Sequence, residues 1–257
     1  MTAGNVAVAS GDTKMNNATY VRYEILRTFR NRRFLIFSLG FPVVLLLTIG
    51  GANQHKLIGS IPFPLYYMTG MAGFGTMMAI ISSGARISSE RQVGWTRQLR
   101  ITPLRTRVYF EAKVLCGYLM ALLTLVVMYA VGSALGVRLD ARQWLVMTLL
   151  ILVALVPFAV LGILAGHLLK PDSMGPAIGG VVTLFALLGG SWGPLSTGKT
   201  YVDIVRLLPS YWLAQASRVA FGGSEWPPVE AWIVIAVWTG VLVRLAVRVY
   251  RRDTARV

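Results

Sequence analysis

One string in the 257 residues carries the spacing of a chemical motif: Gly193-Pro-Leu-Ser-Thr-Gly-Lys199-Thr200 satisfies the P-loop pattern GxxxxGK[ST] letter for letter. That pattern binds nucleotide because backbone N–H groups cradle the phosphates, the lysine reaches the terminal phosphate and the hydroxyl holds Mg²⁺. It needs a buried strand before it and a helix after it. Here a 26-residue uncharged run, 173–198, leads into it, and no other stretch reads as a strand ending in an acidic Mg²⁺ ligand. We read 193–200 as a chance match. The other reactive residue types give no constellation either. His55 and His167 fall at opposite membrane faces in the topology read below, which argues against a shared metal site. Cys116 is the single cysteine and sits within such a run, where it reads as a small apolar filler. No acidic residue lies in the middle of any run, so an intramembrane carboxylate for proton or sodium coupling is missing, as is a paired-aspartate or Ser/His centre. The sequence therefore predicts no catalytic residue, no metal site and no cofactor in this chain. Any energy must come from elsewhere.

The runs themselves are the dominant signal. The chain is 55% hydrophobic and 14% charged, with a mean hydropathy of +0.62; a soluble domain carries about 25% charged residues. Uncharged stretches cover 34–54, 57–85, 114–137, 143–169 and 173–198, each of at least 21 residues, and roughly 20 suffice to cross a bilayer as a helix. A sixth span is expected over 229–247, with Glu230 at one interface and Arg244 snorkelling to the other. The formal charge of +15 does not point to nucleic acid, because of how it is distributed. Six Lys and Arg precede residue 34, seven lie in 86–113, Lys170 stands alone, and five follow from Arg244 onward; only Lys56, Arg138, Arg142, Lys199, Arg206 and Arg218 fall in the alternate segments. By the positive-inside rule both termini are cytoplasmic and the localisation is the cell membrane.

The expected organisation follows. Residues 1–16 read as a disordered tail without the apolar core of a signal peptide. Residues 17–33 read as a basic amphipathic interfacial helix, with Val21, Ile25 and Phe29 at i, i+4, i+8 and Arg22, Arg27, Arg30, Arg32 and Arg33 around them. A six-span all-α membrane domain occupies 34–247 (spans about 34–54, 65–85, 114–137, 143–169, 173–193 and 229–247), and 248–257 is a cytoplasmic tail. Pro42 is expected to kink the first span, and the Pro62/Pro64 region to be extended before the second. Small-xxx-small pairs at Gly132/Gly136, Gly162/Gly166 and Gly175/Gly179 read as helix packing.

Two polar segments remain. The outer one, 199–230, shows an interrupted helical stripe broken at Pro209, with Tyr201, Tyr211, Trp212 and Trp226 suited to the headgroup zone; short interfacial or re-entrant helices fit it best. The inner one, 86–113, is strongly basic. Residues 90–100 have helix-compatible composition apart from Gly94, and Pro103 ends the segment. Trp95 and Leu99, at i, i+4, present an anchor for another protein's groove, and Glu90 one turn earlier offers a charge to a basic one. The residues alone leave this docking helix and an ordinary basic loop equally open.

At these residues the chain resembles the membrane subunit of type-2 ABC exporters, the group of drug, lipid and polysaccharide permeases. The string Glu90-Arg91…Gly94-Trp95…Leu99-Arg100…Thr102-Pro103-Leu104 is similar to the family's loop between the second and third spans, which docks on the ATPase. Gly189-Gly190…Pro194-Leu195…Leu208-Pro209-Ser210-Tyr211-Trp212-Leu213-Ala214…Arg218…Gly222-Gly223 is similar to the outer region before the last span, departing from the pattern over 196–203. The resemblance covers nearly everything after about Asn17. It implies a permease dimer forming the pathway, with ATP and Mg²⁺ held by separate ATP-binding subunits. Their closure would pass through a coupling helix bearing Glu90, Arg91, Gly94, Trp95, Leu99 and Pro103, and through the amphipathic helix bearing Arg22 and Arg30. Pro209, Tyr211 and Trp212 would form an outer cap. Membrane lipid is a further expected partner, and nucleic acid is not. A non-transporting scaffold or sensor, and a passive channel, are the alternatives.

Overall fold

The computed structural model describes residues 17–31, 36–95, 98, 106–193, 198–219 and 227–255, and their regular structure is helical apart from one hairpin of two two-residue strands. In chain order the helices are α1 (Asn17–Arg30) and α2, which is built of Ile36–Gly40, Phe41–Leu45 and Leu46–Gly50. Strands β1 (Leu57–Ile58) and β2 (Ile61–Pro62) then lead into α3 (Phe63–Ala85) and the short α4 (Ile87–Gln92). They are followed by α5 (Thr106–Ala134), α6 (Ala141–Ala154), α7 (Val156–Leu168), α8 (Pro171–Leu188), α9 (Lys199–Val205), α10 (Pro209–Ala216) and α11 (Val229–Ala255). Four stretches are long and apolar enough to cross a membrane: Thr106–Ala134, Ala141–Leu168, Pro171–Leu188 and Val229–Arg252. Ser38–Gly50 is a shorter apolar helix.

Helix α3 is the axis of the molecule. It buries every residue except Phe63, Met78 and Ser82, against α5, α7 and α8. Its composition explains the position. Gly, Ala, Ser and Thr make a thin helix that neighbours can approach, which is how helices associate where lipid offers no hydrophobic advantage. The closest approach is to α7. A Cβ on Gly84 would lie 2.6 Å from the Gly162 carbonyl carbon, and one on Gly162 would lie 2.5 Å from the Ile81 carbonyl oxygen. The Gly162/Gly166 pair is thus a backbone contact. Gly132 meets Met68, whereas Gly136 ends α5 at φ +87° and packs on nothing, and Gly175 and Gly179 have no neighbour within 4 Å.

The proline expectations are met in altered form. Around Pro42 the helix is irregular, with π-helical turns at Ile36–Gly40 and Leu46–Gly50 flanking the α-helical Phe41–Leu45. The chain stays extended only through Pro62, and α3 begins at Phe63 with proline in its first turn, where the missing N–H is harmless. The run 143–169 falls within the single membrane-length stretch Ala141–Leu168, in which α6 passes into α7 through a local irregularity at Leu155, just ahead of Pro157. Asp140 and Gln143 close a capping box at the start of α6. Helix α11 continues past 247 to Ala255, so most of the expected tail is its last turns.

Candidate functional site

Helix α1 turns an unexpected face inward. Tyr20, Glu24 and Thr28 are its buried residues, while Tyr23, Leu26 and Phe29 are exposed at 66%, 47% and 37%. Val21 and Ile25 are half-buried. The stripe read as membrane-facing lies one step round from the side that meets the protein. What draws Glu24 inward is Lys113, in the second turn of α5. Its Nζ donates to Glu24 Oε1 at 2.6 Å and to Glu90 Oε1 at 2.5 Å, with all three side chains no more than 4% exposed. Glu90 is fully provided for, because Arg27 Nη1 also donates to Oε1 at 3.0 Å and the Tyr109 hydroxyl donates to Oε2 at 2.7 Å. Arg86 donates to Thr28 Oγ1 at 2.7 Å and stands 3.8 Å from Glu24 Oε1. Tyr20 stacks at a tilt on Tyr109, and burial, then the charges of Glu24 and Glu90, push its phenol up from the ordinary range.

This node joins three elements that are far apart in sequence: α1 through Glu24 and Arg27, α4 through Glu90, and α5 through Tyr109 and Lys113. Such a buried ionic cluster adds little net stability compared with apolar packing, but it fixes one register, because every alternative leaves a charge unpaired. Helix α4 is also clamped from the other side. Arg91 donates to the His167 carbonyl at 2.6 Å and Ser88 to the Leu169 carbonyl at 2.7 Å, so both occupy the open C-terminal carbonyls of α7.

The expected coupling residues can now be located. Glu90 is 1% exposed and meets cations of its own chain, so its charge is not presented outward. Arg91 is half-buried against α7, and Gly94, at φ +71°, turns the chain after α4. Trp95 is half-buried and packs on the cluster of Tyr20, Ile87, Tyr109 and Ala112. Arg22 and Arg30 are exposed on α1. Leu99 and Pro103 lie outside the described residues. Sequence reasoning missed Glu24, Lys113, Tyr109 and Arg86. The available signal was a lysine placed one turn inside an apolar helix, together with a second i, i+4, i+8 series at 20, 24 and 28.

At the other end, Pro209 opens α10, and Tyr211 and Trp212 are buried with Val205 and Ala231. Trp212 Nε1 donates to the Arg206 carbonyl at 2.7 Å, and Trp238 on α11 to the Leu207 carbonyl at 2.8 Å. Helix α10 packs on α3, α6, α8 and α11, so this segment is folded into the helix ends and is not a free loop. Arg218 lies over the Tyr66 ring, 4.2 Å from its centroid, and donates to the Gly190 carbonyl; burial lowers its pKa from the ordinary guanidinium value. Of the string 193–200, positions 194–197 lie outside the described residues. The element before it is helix α8, not a strand, and Lys199 is exposed at the start of the seven-residue α9.

A core helix sheathed by apolar helices of membrane-crossing length, with polar clusters confined to its two ends, defines a multi-pass membrane protein. The match to known families makes the class specific: residues 60–248 fit the model described as ABC-2 family transporter protein, and the chain belongs to that family. It is similar to the Bacillus subtilis (strain 168) protein named "Putative transport permease YvfS", at 26% identity over 226 residues, which are 87% of this chain and 88% of the relative. It is therefore the membrane subunit of a transporter, and membership implies an ATP-binding partner subunit.

Proposed function

We propose that this chain is the permease of an ATP-driven exporter, working as a dimer whose two copies enclose the pathway. ATP and Mg²⁺ are held by the separate ATP-binding subunits, and this chain binds neither. Six spans are proposed, α2 and α3 adding to the four long apolar stretches. At ~1.5 Å per residue, the 23 residues of α3 extend about 35 Å, enough for a ~30 Å core. Both termini and the α3–α5 connection face the cytoplasm of a cell-membrane protein, a reading supported by the surplus of Lys and Arg in those segments.

The coupling reading is carried by one observation: α4 is tied by Glu90 to α1 and α5, and by Arg91 and Ser88 to α7. A push on α4 by an ATP-binding subunit therefore moves four helices together. Glu90, Arg91, Gly94 and Trp95 are assigned to this transmission, with Arg22 and Arg30 on the exposed side of α1 meeting the partner or the membrane. The test is Glu90→Gln in the assembled complex. Insertion and co-purification of the ATP-binding subunit should persist, while the stimulation of ATP hydrolysis by the permease falls at least about tenfold, the equivalent of ~1.4 kcal/mol. Unchanged stimulation in a correctly folded variant would refute the assignment.

A further inference from the structure

Beside the ionic node, on the outer side of α1, lies a groove of about 610 Å³ that the transport reading does not use. Its walls are Tyr23, Leu26, Arg27 and Arg30 of α1, facing Arg86 and Ser89 at the α3–α4 elbow. The charge accounting there does not close. Glu24 and Glu90 are both drawn to Lys113, behind the groove, at 2.6 and 2.5 Å. They are shared with Arg27 and Arg86, so two carboxylates face three cations. Arg30 adds a fourth cation; it is exposed and makes no hydrogen bond or ion pair among the described residues. No carboxylate lines the groove. Arginine forks suit phosphate oxygens, and the Ser89 hydroxyl supplies another donor. Directly beside these cations α1 exposes Tyr23, Leu26 and Phe29 at i, i+3, i+6, an apolar strip that a free anion would leave uncovered and acyl chains would cover.

We propose that this groove binds the phosphate of an acidic phospholipid of the inner leaflet, with Arg27, Arg30, Arg86 and Ser89 on the headgroup and Tyr23, Leu26 and Phe29 against the chains. The assignment to the inner leaflet rests on the topology proposed above. The lipid holds α1 against the α3–α4 elbow from the side opposite Lys113, so the two faces of α1 are fixed by charges of opposite sign.

The test uses the full chain alone in detergent micelles, titrated with phosphatidylglycerol or phosphatidylcholine and read by native mass spectrometry. One molecule of phosphatidylglycerol should bind at least about fivefold more tightly than phosphatidylcholine, the effect of roughly one arginine near an anionic headgroup. Arg30→Glu should abolish that preference and Arg30→Lys should keep most of it. Arg248→Glu should not change it; Arg248 is an exposed cation on α11, two residues before Tyr250, which contacts Phe110 and His167 at the same end of the molecule. Equal binding of the two lipids overturns the proposal, as does an equal loss with Arg248→Glu, which would mean diffuse attraction. Displacement of the lipid by millimolar inorganic phosphate would assign the groove to a soluble anion. If Arg30→Glu keeps the lipid preference and, in a separate co-purification from membranes, loses the ATP-binding subunit, the groove takes an acidic protein surface and the lipid proposal is overturned. The titration contains no ATP-binding subunit, so failure here leaves the coupling reading untouched, and failure of Glu90→Gln leaves this one.

Discussion

Replacing Lys113 by methionine removes the cation from the centre of the node while nearly preserving its volume. Glu24 and Glu90, at 4% and 1% exposure, then lose the donor they share. Breaking a buried ion pair by deleting one partner costs ~3–5 kcal/mol, mostly from the charge left behind. Two cations remain to soften the loss, Arg27 at 3.0 Å from Glu90 and Arg86 at 3.8 Å from Glu24, so the lower end, about 3 kcal/mol, is expected. At ~2–4 °C per kcal/mol for a chain of this size, the midpoint falls by roughly 6–12 °C. The assay is thermal unfolding in detergent, followed by tryptophan fluorescence, for Lys113→Met, for Glu24→Gln with Glu90→Gln, and for the triple variant. Because the penalty belongs to stranded charge, the triple variant should recover at least half of the Lys113→Met loss. A Lys113→Met midpoint within about 2 °C of the parent, or a triple variant that simply adds the separate losses, would show that the three groups do not act as one cluster.

Gly162→Ala should destabilise the fold by roughly 1–3 kcal/mol, since its Cβ meets the Ile81 backbone at 2.5 Å, whereas Gly175→Ala, with nothing within 4 Å, should leave monomer unfolding unchanged; equal midpoints for the two would contradict the α3–α7 contact. Lys199→Ala should leave ATP hydrolysis by the complex within about twofold of the parent, because the string around it lacks the preceding strand of a working P-loop; loss of nucleotide binding by the isolated, folded chain would reverse that reading. Reporters fused at Ser10 and Thr254 should register cytoplasm, and those at Asn53, Asp140 and Lys199 the outside; an outside signal at Thr254 would overturn the even number of spans.

The long helices were legible because an apolar run of membrane-crossing length has essentially one way to satisfy its backbone. Their interruptions were legible only in part. Pro42 and Pro209 mark disturbed helix geometry and a helix start, but the irregularity at Leu155 was hidden inside a continuous run, since Pro157 sits at the second position of α7 where it fits without strain. The side of α1 that meets the protein went unread for a physical reason. Hydrophobic periodicity selected Val21, Ile25 and Phe29, yet a buried lysine on α5 makes Glu24 the residue that must turn inward. That requirement comes from Lys113, 89 residues away, and the series at 20, 24 and 28 on α1 gains its meaning only once that partner is known. Glu90 was singled out on motif grounds, while the partners it faces, Lys113, Arg27 and Tyr109, could be read only from the structure.

The same sequence distance sets a timetable for biogenesis. Glu24 leaves the ribosome 89 residues before Lys113 and 66 before Glu90. At ~5–20 residues per second, α1 waits roughly 4–18 s for the cation that allows its carboxylate to leave water. During that interval the nascent chain keeps α1 hydrated at the membrane surface, and docking becomes favourable only once α5 has begun to insert. The buried pair of Glu24 with Lys113 can therefore form only after the start of α5 has been made. A chain halted before Lys113 would leave α1 undocked, and so recognisable to a quality-control protease as unfinished.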